Sequence, residues 1–459
     1  MRRSATRRSA PEIRERSEAG CNLPSKLIQA RWLSLSIQSG AWERPAITDR
    51  LTRALQTSHV DLARVAARLC FHFDESSPPD IDALVAFVLQ EPLLESVLRS
   101  EAVRGLLLDQ PIMEAKPDNL ITFPLPDLTT WRDVGLWLCL HDKEIAWFAD
   151  CKSQQGNLTE GKLHHYRYSW VRKRSGDLRL IATPKSRLKN IQREILRDIL
   201  NRIPPHPCAH GFCRGRSTKT FVAPHVGQEA ILRLDLKDFF HSVPVARISA
   251  LFRCLGYPRN VAWLLQGFCT NSVSPSLAGK PFQDLSWNTR KRLQSKHLPQ
   301  GAPTSAQLAN LCAWHLDRRL QGVADRLGFQ YTRYADDLAF SGPYRLANMS
   351  KFFEVLVGGI AIDEGFQLNH RKTRLRLSSQ RQCLAGIVVN EKLNCRRSDW
   401  DQLKAILHNC IRYGPGSQNH DDLPDFKAHL RGRLAYMLWL NPSRGEKLRI
   451  LWDKIVWDV

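Results

Sequence analysis

Three acids stand where carboxylates can act together. Asp336 and Asp337 are neighbours in YTRYADDLAFSG (331–342), between the apolar runs Tyr331–Tyr334 and Leu338–Phe340. That pattern predicts strand, tight turn, strand, with the acids at the turn. Asp235 closes ILRLD (231–235), which reads as another strand. Adjacent carboxylates beside a low-dielectric core repel one another and are costly unless a cation neutralises them. A third acid from a neighbouring strand end completes an oxygen-only set suited to Mg²⁺. Two metal ions held about 4 Å apart can activate an attacking hydroxyl and stabilise a leaving phosphate oxygen. Asp-Asp is also an ordinary polar turn, since Asp tolerates turn backbones, so the pair by itself leaves both readings open.

The acids need a sheet beneath them and helices behind it. Tyr166–Pro184 reads as two short, densely basic strands around a Ser175-Gly176-Asp177 turn. Ser186–Ile203 has helical spacing, with Leu188, Ile191, Ile195, Ile199 and Ile203 on one face and Lys189, Arg193 and Arg197 on the other; Pro204 ends it. Further helices are predicted from about Pro244 to Leu255 and over Thr304–Leu320. PHPCAHGFC brings His206, Cys208, His210 and Cys213 together. Their spacing matches no common zinc pattern and two prolines stiffen the segment, so it reads as a buried turn.

The 459 residues carry 67 Lys+Arg against 45 Asp+Glu, a net charge of +22. Residues 1–150 hold 18 basic and 21 acidic side chains, whereas 151–459 hold 49 and 24. Such a field over the C-terminal two-thirds implies a polyanionic partner, because neutralising phosphates releases counterions. No apolar run approaches the roughly 18 residues of a membrane span. The opening MRRSATRRSAPEIRERSE lacks the apolar core of a secretory signal, and its glutamates argue against a transit peptide. Twelve cysteines without a CxxC pair suit a reducing cytosol. The expectation is a cytoplasmic protein with no membrane partner. Residues 1–45 read as a basic, disordered tail, and helical spacing from Asp49 to about Arg104 predicts a small helical module over 46–125.

Six segments in order carry a resemblance: RKRSGDLRLIATPKSRLKNIQREIL (172–196), LRLDLKDFFHSV (232–243), LPQGAPTSAQLANL (298–311), YTRYADDLAFSG (331–342), LNHRKTRLRL (368–377) and LAGIVVN (384–390). Together they resemble the motifs of reverse transcriptases of the retron type, a branch related to intron-encoded enzymes, over roughly 160–455. The resemblance implies an α/β (α+β) right-hand polymerase behind the helical module. Its fingers would occupy 126–230, its palm 231–394 with an inserted fingers segment, and its thumb 395–459.

Residue by residue, the resemblance implies metal-binding acids at Asp235, Asp336 and Asp337, with the Leu236 backbone also facing a metal. Two Mg²⁺ ions are implied, with Mn²⁺ as a substitute. Phe240 falls where the family places the ring under the incoming sugar, and Arg179 where an arginine grips the triphosphate, with Lys173 a weaker candidate. Gln300 and Gly301 match the segment lining the nucleotide and template pocket. Lys372 resembles the lysine that protonates departing pyrophosphate, although Arg371 and Arg374 crowd it. Ala385 and Gly386 lie in the segment resembling the primer-gripping hairpin. His225 is all that remains of the family's Asn-Ala-x-x-His signature, and Leu384-Ala385-Gly386 replaces Val-Thr-Gly. With Arg431 and Arg433 of the basic, aromatic C-terminal segment, His225, Ala385 and Gly386 make up the expected RNA and primer contacts.

The implied activity is RNA-directed DNA synthesis from dNTPs on one structured non-coding RNA encoded beside the enzyme. The product would be short single-stranded DNA attached to RNA, serving bacterial antiphage defence, with an effector or toxin protein encoded nearby as a further partner. The alternatives are a stand-alone or general reverse transcriptase, and a non-catalytic RNA-binding scaffold on the same fold.

Overall fold

The computed structural model describes residues 26–38, 42–55, 61–73, 79–95, 113, 123–155, 164–172, 176 and 178–457. The chain divides into two compact units, 1–111 and 112–459.

In the first unit, α1 (Lys26–Gln38), α2 (Arg44–Leu55), α3 (Asp61–His72) and α4 (Ile81–Gln90) enclose a core that includes Leu33, Ile37, Leu51, Val65, Leu69 and Val88. α1 corrects the reading of 1–45 as a disordered tail. Its Ala30, Leu33 and Ile37 recur at helical spacing and are wholly buried. Ser34 and Ser36 are buried with them, which blurs the apolar–polar contrast that marks an amphipathic helix in sequence. Residues 1–25 lie outside the described residues.

The second unit is built on an antiparallel sheet of β3 (Ala230–Asp235), β4 (Gln330–Tyr334), β5 (Asp337–Gly342) and β6 (Arg374–Leu377), in the order β4-β5-β3-β6. Before it in sequence, β1 (Tyr166–Arg172) and β2 (Leu178–Pro184) form a separate two-stranded ladder. Strand alternation gives the four-stranded sheet two different faces. Leu232 and Leu234 enter the main core with Ile195, Phe252, Leu308 and Phe353 from the surrounding helices. Ile231 belongs to a second core with Phe221, Ala339, Leu384 and Leu403, which also unites the helices Arg397–Tyr413, Phe426–Leu440 and Pro442–Trp452. Arg233 and Asp235 follow Ile231 at intervals of two and so share its face.

The helix predicted over Ser186–Ile203 runs from Ser186 to Asp198 and ends in a 3₁₀ turn, Leu200–Arg202, with its apolar face buried. The helix predicted over Thr304–Leu320 is two, Ser305–Cys312 and Trp314–Leu327, meeting at Ala313; no glycine or proline within 304–320 signals the break. In the C-terminal layer Pro442 opens a new helix, and the Asn441 side chain caps it by accepting from the Arg444 N–H. Trp400, Trp452 and Trp457 pack against the second core, while Trp439 remains 41% exposed under Lys219.

Candidate active site

Register brings the acids together. β3 pairs with β5 so that Asp235 lies opposite Asp337, and the Leu236 N–H donates to the Asp336 carbonyl at 2.8 Å. The end of β3 is therefore stitched to the turn carrying Asp336. Asp235 is 4% exposed. Its Oδ2 is 2.9 Å from Lys372 Nζ, and Asn369 Nδ2 donates to its Oδ1 at 3.3 Å. Asp337 Oδ1 accepts from Arg233 Nη2 at 2.6 Å and from Nε at 3.0 Å. Asp336 makes no ion pair among the described residues. Burial, and then the charges of Asp235 and Asp337, hold the Asp336 carboxyl above its usual range. Asp337 is also raised, mainly by burial, with Arg233 opposing the shift.

The turn itself is fixed from below. Arg333, wholly buried, donates through Nη2 and Nε to Asp317 at 2.6 and 2.8 Å. Its Nη1 reaches Asn310 Oδ1 at 2.9 Å and the Ala335 carbonyl at 3.0 Å, and the Tyr331 hydroxyl donates to Asp317 at 2.8 Å. Ala335 adopts the left-handed region, φ 56°. Against it packs Gly211, where a Cβ would stand 2.5 Å from the Ala335 nitrogen. Sequence reasoning missed this role of PHPCAHGFC. The segment lies along β4, the Arg333 N–H donating to the Cys208 carbonyl and the His210 N–H to the Arg333 carbonyl, each at 2.7 Å. Its four side chains diverge: His206 meets Trp314, Cys208 Gln321, His210 Thr220, and Cys213 the carbonyls of Ala209 and Gly211. The signal that could have found it is the glycine, not the cysteines and histidines.

The nucleotide-site candidates come from three parts of the chain. Gly301, at φ 123°, lies so close to β2 that a Cβ would meet the Ala182 carbonyl at 3.0 Å. The Ala182 N–H donates to the Gln300 carbonyl at 2.8 Å. Arg179 is on the same strand, opposite Val171. Lys173 lies outside the described residues. Phe239 is buried and stacks on Phe366, whereas Phe240 is half-buried beside the exposed Phe212. Of the three cations over 371–374, Lys372 is the one paired with an acid among the described residues. Arg374 turns Nη1 back to the carbonyls of Arg371 and Thr373.

His225 is a correction. Expected at an RNA contact, it is wholly buried, with Nδ1 2.6 Å from Ser341 Oγ and Nε2 2.7 Å from Thr332 Oγ1. Burial depresses its pKa to about 3, so the ring is neutral and serves as a polar link between β4 and β5. Leu236 is buried, its N–H already committed to Asp336. Ala385 (φ 46°) and Gly386 (φ 84°) form the two-residue turn joining β7 (Cys383–Leu384) to β8 (Ile387–Val388), the positive-φ pair such hairpins need. Arg431 and Arg433 lie on a separate element, the helix Phe426–Leu440, where Arg433 donates to Gln402 at 3.2 Å.

A four-stranded sheet with strand-end acids, preceded in sequence by a basic hairpin, defines a polymerase-type domain, and residues 171–396 match the family model for reverse transcriptase (RNA-dependent DNA polymerase). The chain is 40% identical over 296 residues to the Retron Mx65 reverse transcriptase of Myxococcus xanthus and 35% identical over 301 residues to that organism's Retron Mx162 reverse transcriptase. These matches cover 62% and 61% of this chain, but 64% and 59% of the relatives' lengths. With the Retron Ec86 reverse transcriptase of Escherichia coli it shares 31% identity over 288 residues, covering 62% of this chain and 79% of that one. The chain belongs to the retron reverse transcriptase family, and its fold is that of a right-hand polymerase. No described helix is long and apolar enough to cross a membrane.

Proposed function

We propose that this chain is an RNA-directed DNA polymerase of the retron type, with Asp235, Asp336 and Asp337 holding the divalent cations of nucleotidyl transfer. The observation that carries the reading is the pairing of Asp235 with Asp337 beside the turn that presents Asp336. The donor set fits such ions. It consists of carboxylate oxygens alone, hard ligands suited to Mg²⁺ and to Mn²⁺ in its place, and burial with mutual repulsion favours an added cation. Among the described residues no three His, Cys, Asp or Glu side chains converge as the chain stands, since Asp235 faces Lys372 and Asp337 faces Arg233. Two such ions, when bound, would acidify the attacking hydroxyl and neutralise the leaving pyrophosphate.

The chain's own residues supply the rest. Lys372, hydrogen-bonded to Asp235 and about half exposed, donates a proton to departing pyrophosphate. Arg179 grips the triphosphate through charge-assisted bonds. Gln300 and Gly301, pinned to β2, line the nucleotide and template pocket, where glycine permits close backbone approach. Phe240 lies under the sugar and excludes a 2′-hydroxyl, its neighbour Phe239 having taken the place in the core. The Ala385-Gly386 turn grips the primer end, and Arg431 and Arg433 bind nucleic-acid phosphates.

The relatives are named retron reverse transcriptases, and the proposed template and primer is a structured non-coding RNA encoded beside the gene. On this reading the product is short single-stranded DNA attached to RNA, made from dNTPs in the bacterial cytoplasm, in antiphage defence with an effector or toxin protein encoded nearby. The test is to express the chain with its native flanking DNA, digest RNA, and look on a gel for a discrete short DNA. A band that needs both the flanks and intact Asp336 and Asp337 is the expected result. No band, with the purified protein still extending a primed RNA, would replace this reading with a general reverse transcriptase.

A further inference from the structure

Beside the acids, five arginines surround one cavity of 230 Å³: Arg233, Arg374, Arg376, Arg381 and Arg396, with Gly386 of the β7–β8 turn at its edge. No acid lines it. Strand register builds it, since Arg374 lies opposite Arg233 and Arg376 opposite Ile231, on the sheet face that also carries Asp235 two residues beyond Arg233. Five guanidinium groups around so small a space repel one another, and a polyanion relieves that repulsion. Arg233 alone of the five has a carboxylate partner among the described residues. Arg374 bonds to the carbonyls of Arg371 and Thr373, and Arg376 to Gln380. Arg233 thus has its guanidinium on Asp337 and its place in the wall of a basic cavity.

We propose that this cavity binds backbone phosphate of the nucleic acid, and that Arg233 couples its occupation to the acids. Without nucleic acid, Arg233 holds Asp337. When a phosphodiester enters, the guanidinium turns from carboxylate to phosphate, both of which it binds in the same forked geometry. Asp337 is then released to a divalent cation. Arg233 is therefore a positioning residue, acting on the reaction through Asp337. The inference rests on the reading of Asp337 as a cation-holding acid. A buried carboxylate stripped of its partner is costly, so Asp337 leaves Arg233 only as a cation arrives. Nucleic acid and cation must then strengthen each other's binding by the same factor.

The test is Mn²⁺ affinity, read from the free-ion electron paramagnetic resonance signal of the full chain, with and without a blunt RNA–DNA hybrid. No nucleotide is present, and the hybrid's own Mn²⁺ uptake is subtracted. In the wild type the hybrid should tighten Mn²⁺ binding by a coupling of the usual size, about 5- to 150-fold. Arg233→Gln should bind Mn²⁺ tightly without hybrid and gain little when it is added, whereas Arg233→Lys, which keeps the charge, should recover part of the effect. Arg381→Gln/Arg396→Gln, which leaves the Arg233–Asp337 pair intact, should keep wild-type Mn²⁺ affinity without hybrid and lose most of the hybrid-induced gain. An equal gain in the wild type and in both Gln variants would overturn the coupling while leaving the acids as the cation site. Mn²⁺ binding unaffected by Asp336→Asn and by Asp337→Asn would overturn the reading of the acids, and the coupling with it.

Discussion

Arg333 and Asp317 face each other in full burial, joined by hydrogen bonds of 2.6 and 2.8 Å directly beneath the turn that carries Asp336. Through the Ala335 carbonyl the same guanidinium holds the turn itself. Breaking a buried pair leaves one uncompensated charge, so Arg333→Met should destabilise the chain by about 3–5 kcal/mol. Arg333→Met/Asp317→Leu, which removes both charges, should cost less. Urea unfolding of the two variants checks the order.

Gly211→Ala should spare the fold and damage catalysis. The added Cβ would lie 2.5 Å from the Ala335 nitrogen, so the turn bearing Asp336 must shift. Displacement of a catalytic group by about 1 Å can cost about 10²-fold in rate. The expected result is a fall of that order in kcat, with little change in KM for dNTPs, in steady-state extension of a primed RNA.

Phe240→Ala should weaken discrimination against ribonucleotides. The half-buried ring is the group proposed to meet a 2′-hydroxyl, while Phe239 fills the core. Steric exclusion of this kind is worth about 1–3 kcal/mol, or about 10- to 200-fold. The ratio of kcat/KM for dNTP over rNTP should fall by a factor in that range. An unchanged ratio would return Phe240 to a packing role.

Asp336→Asn should stabilise the chain at neutral pH when no divalent cation is present. Burial and the neighbouring acids raise the Asp336 carboxyl above its ordinary value, so the ionised form opposes folding. In the wild type that penalty is present above the raised value and fades as pH falls towards the ordinary carboxylate range, where folded and unfolded states are both protonated. The stabilising effect of the substitution should shrink over the same window. Melting temperatures of both proteins between pH 7 and pH 4, in chelator, decide it.

Much of the second unit is legible in sequence because its signals are local. Short strand-like runs mark β3, β4 and β5, and Asp-Asp between two of them marks the turn. The partners of those acids follow less directly. Lys372 meets Asp235 from 137 positions away, and Arg233 meets Asp337 from 104. Both contacts depend on strand order and register, which no local window contains. The part PHPCAHGFC plays beyond a buried turn is hidden for the same reason, since it lies in the backbone the segment sets against β4 and in Gly211 beside Ala335. A motif alone points His225 to the RNA; its two hydroxyl partners, Ser341 on β5 and Thr332 on β4, come within reach of one ring only once the sheet has formed. In α1, buried serines among the apolar positions hid a helix that tertiary packing supports.

The central claim is that Asp336 and Asp337 serve chemistry rather than a polar turn. Extension of a DNA primer annealed to RNA, with purified protein, dNTPs and Mg²⁺, tests it most directly, with Asp336→Ala and Asp337→Ala assayed in parallel and their folding followed by circular dichroism. The account predicts DNA synthesis by the wild type, its loss in chelator, and none above background in either folded variant. Synthesis by a folded Asp336→Ala protein at the wild-type rate would contradict it.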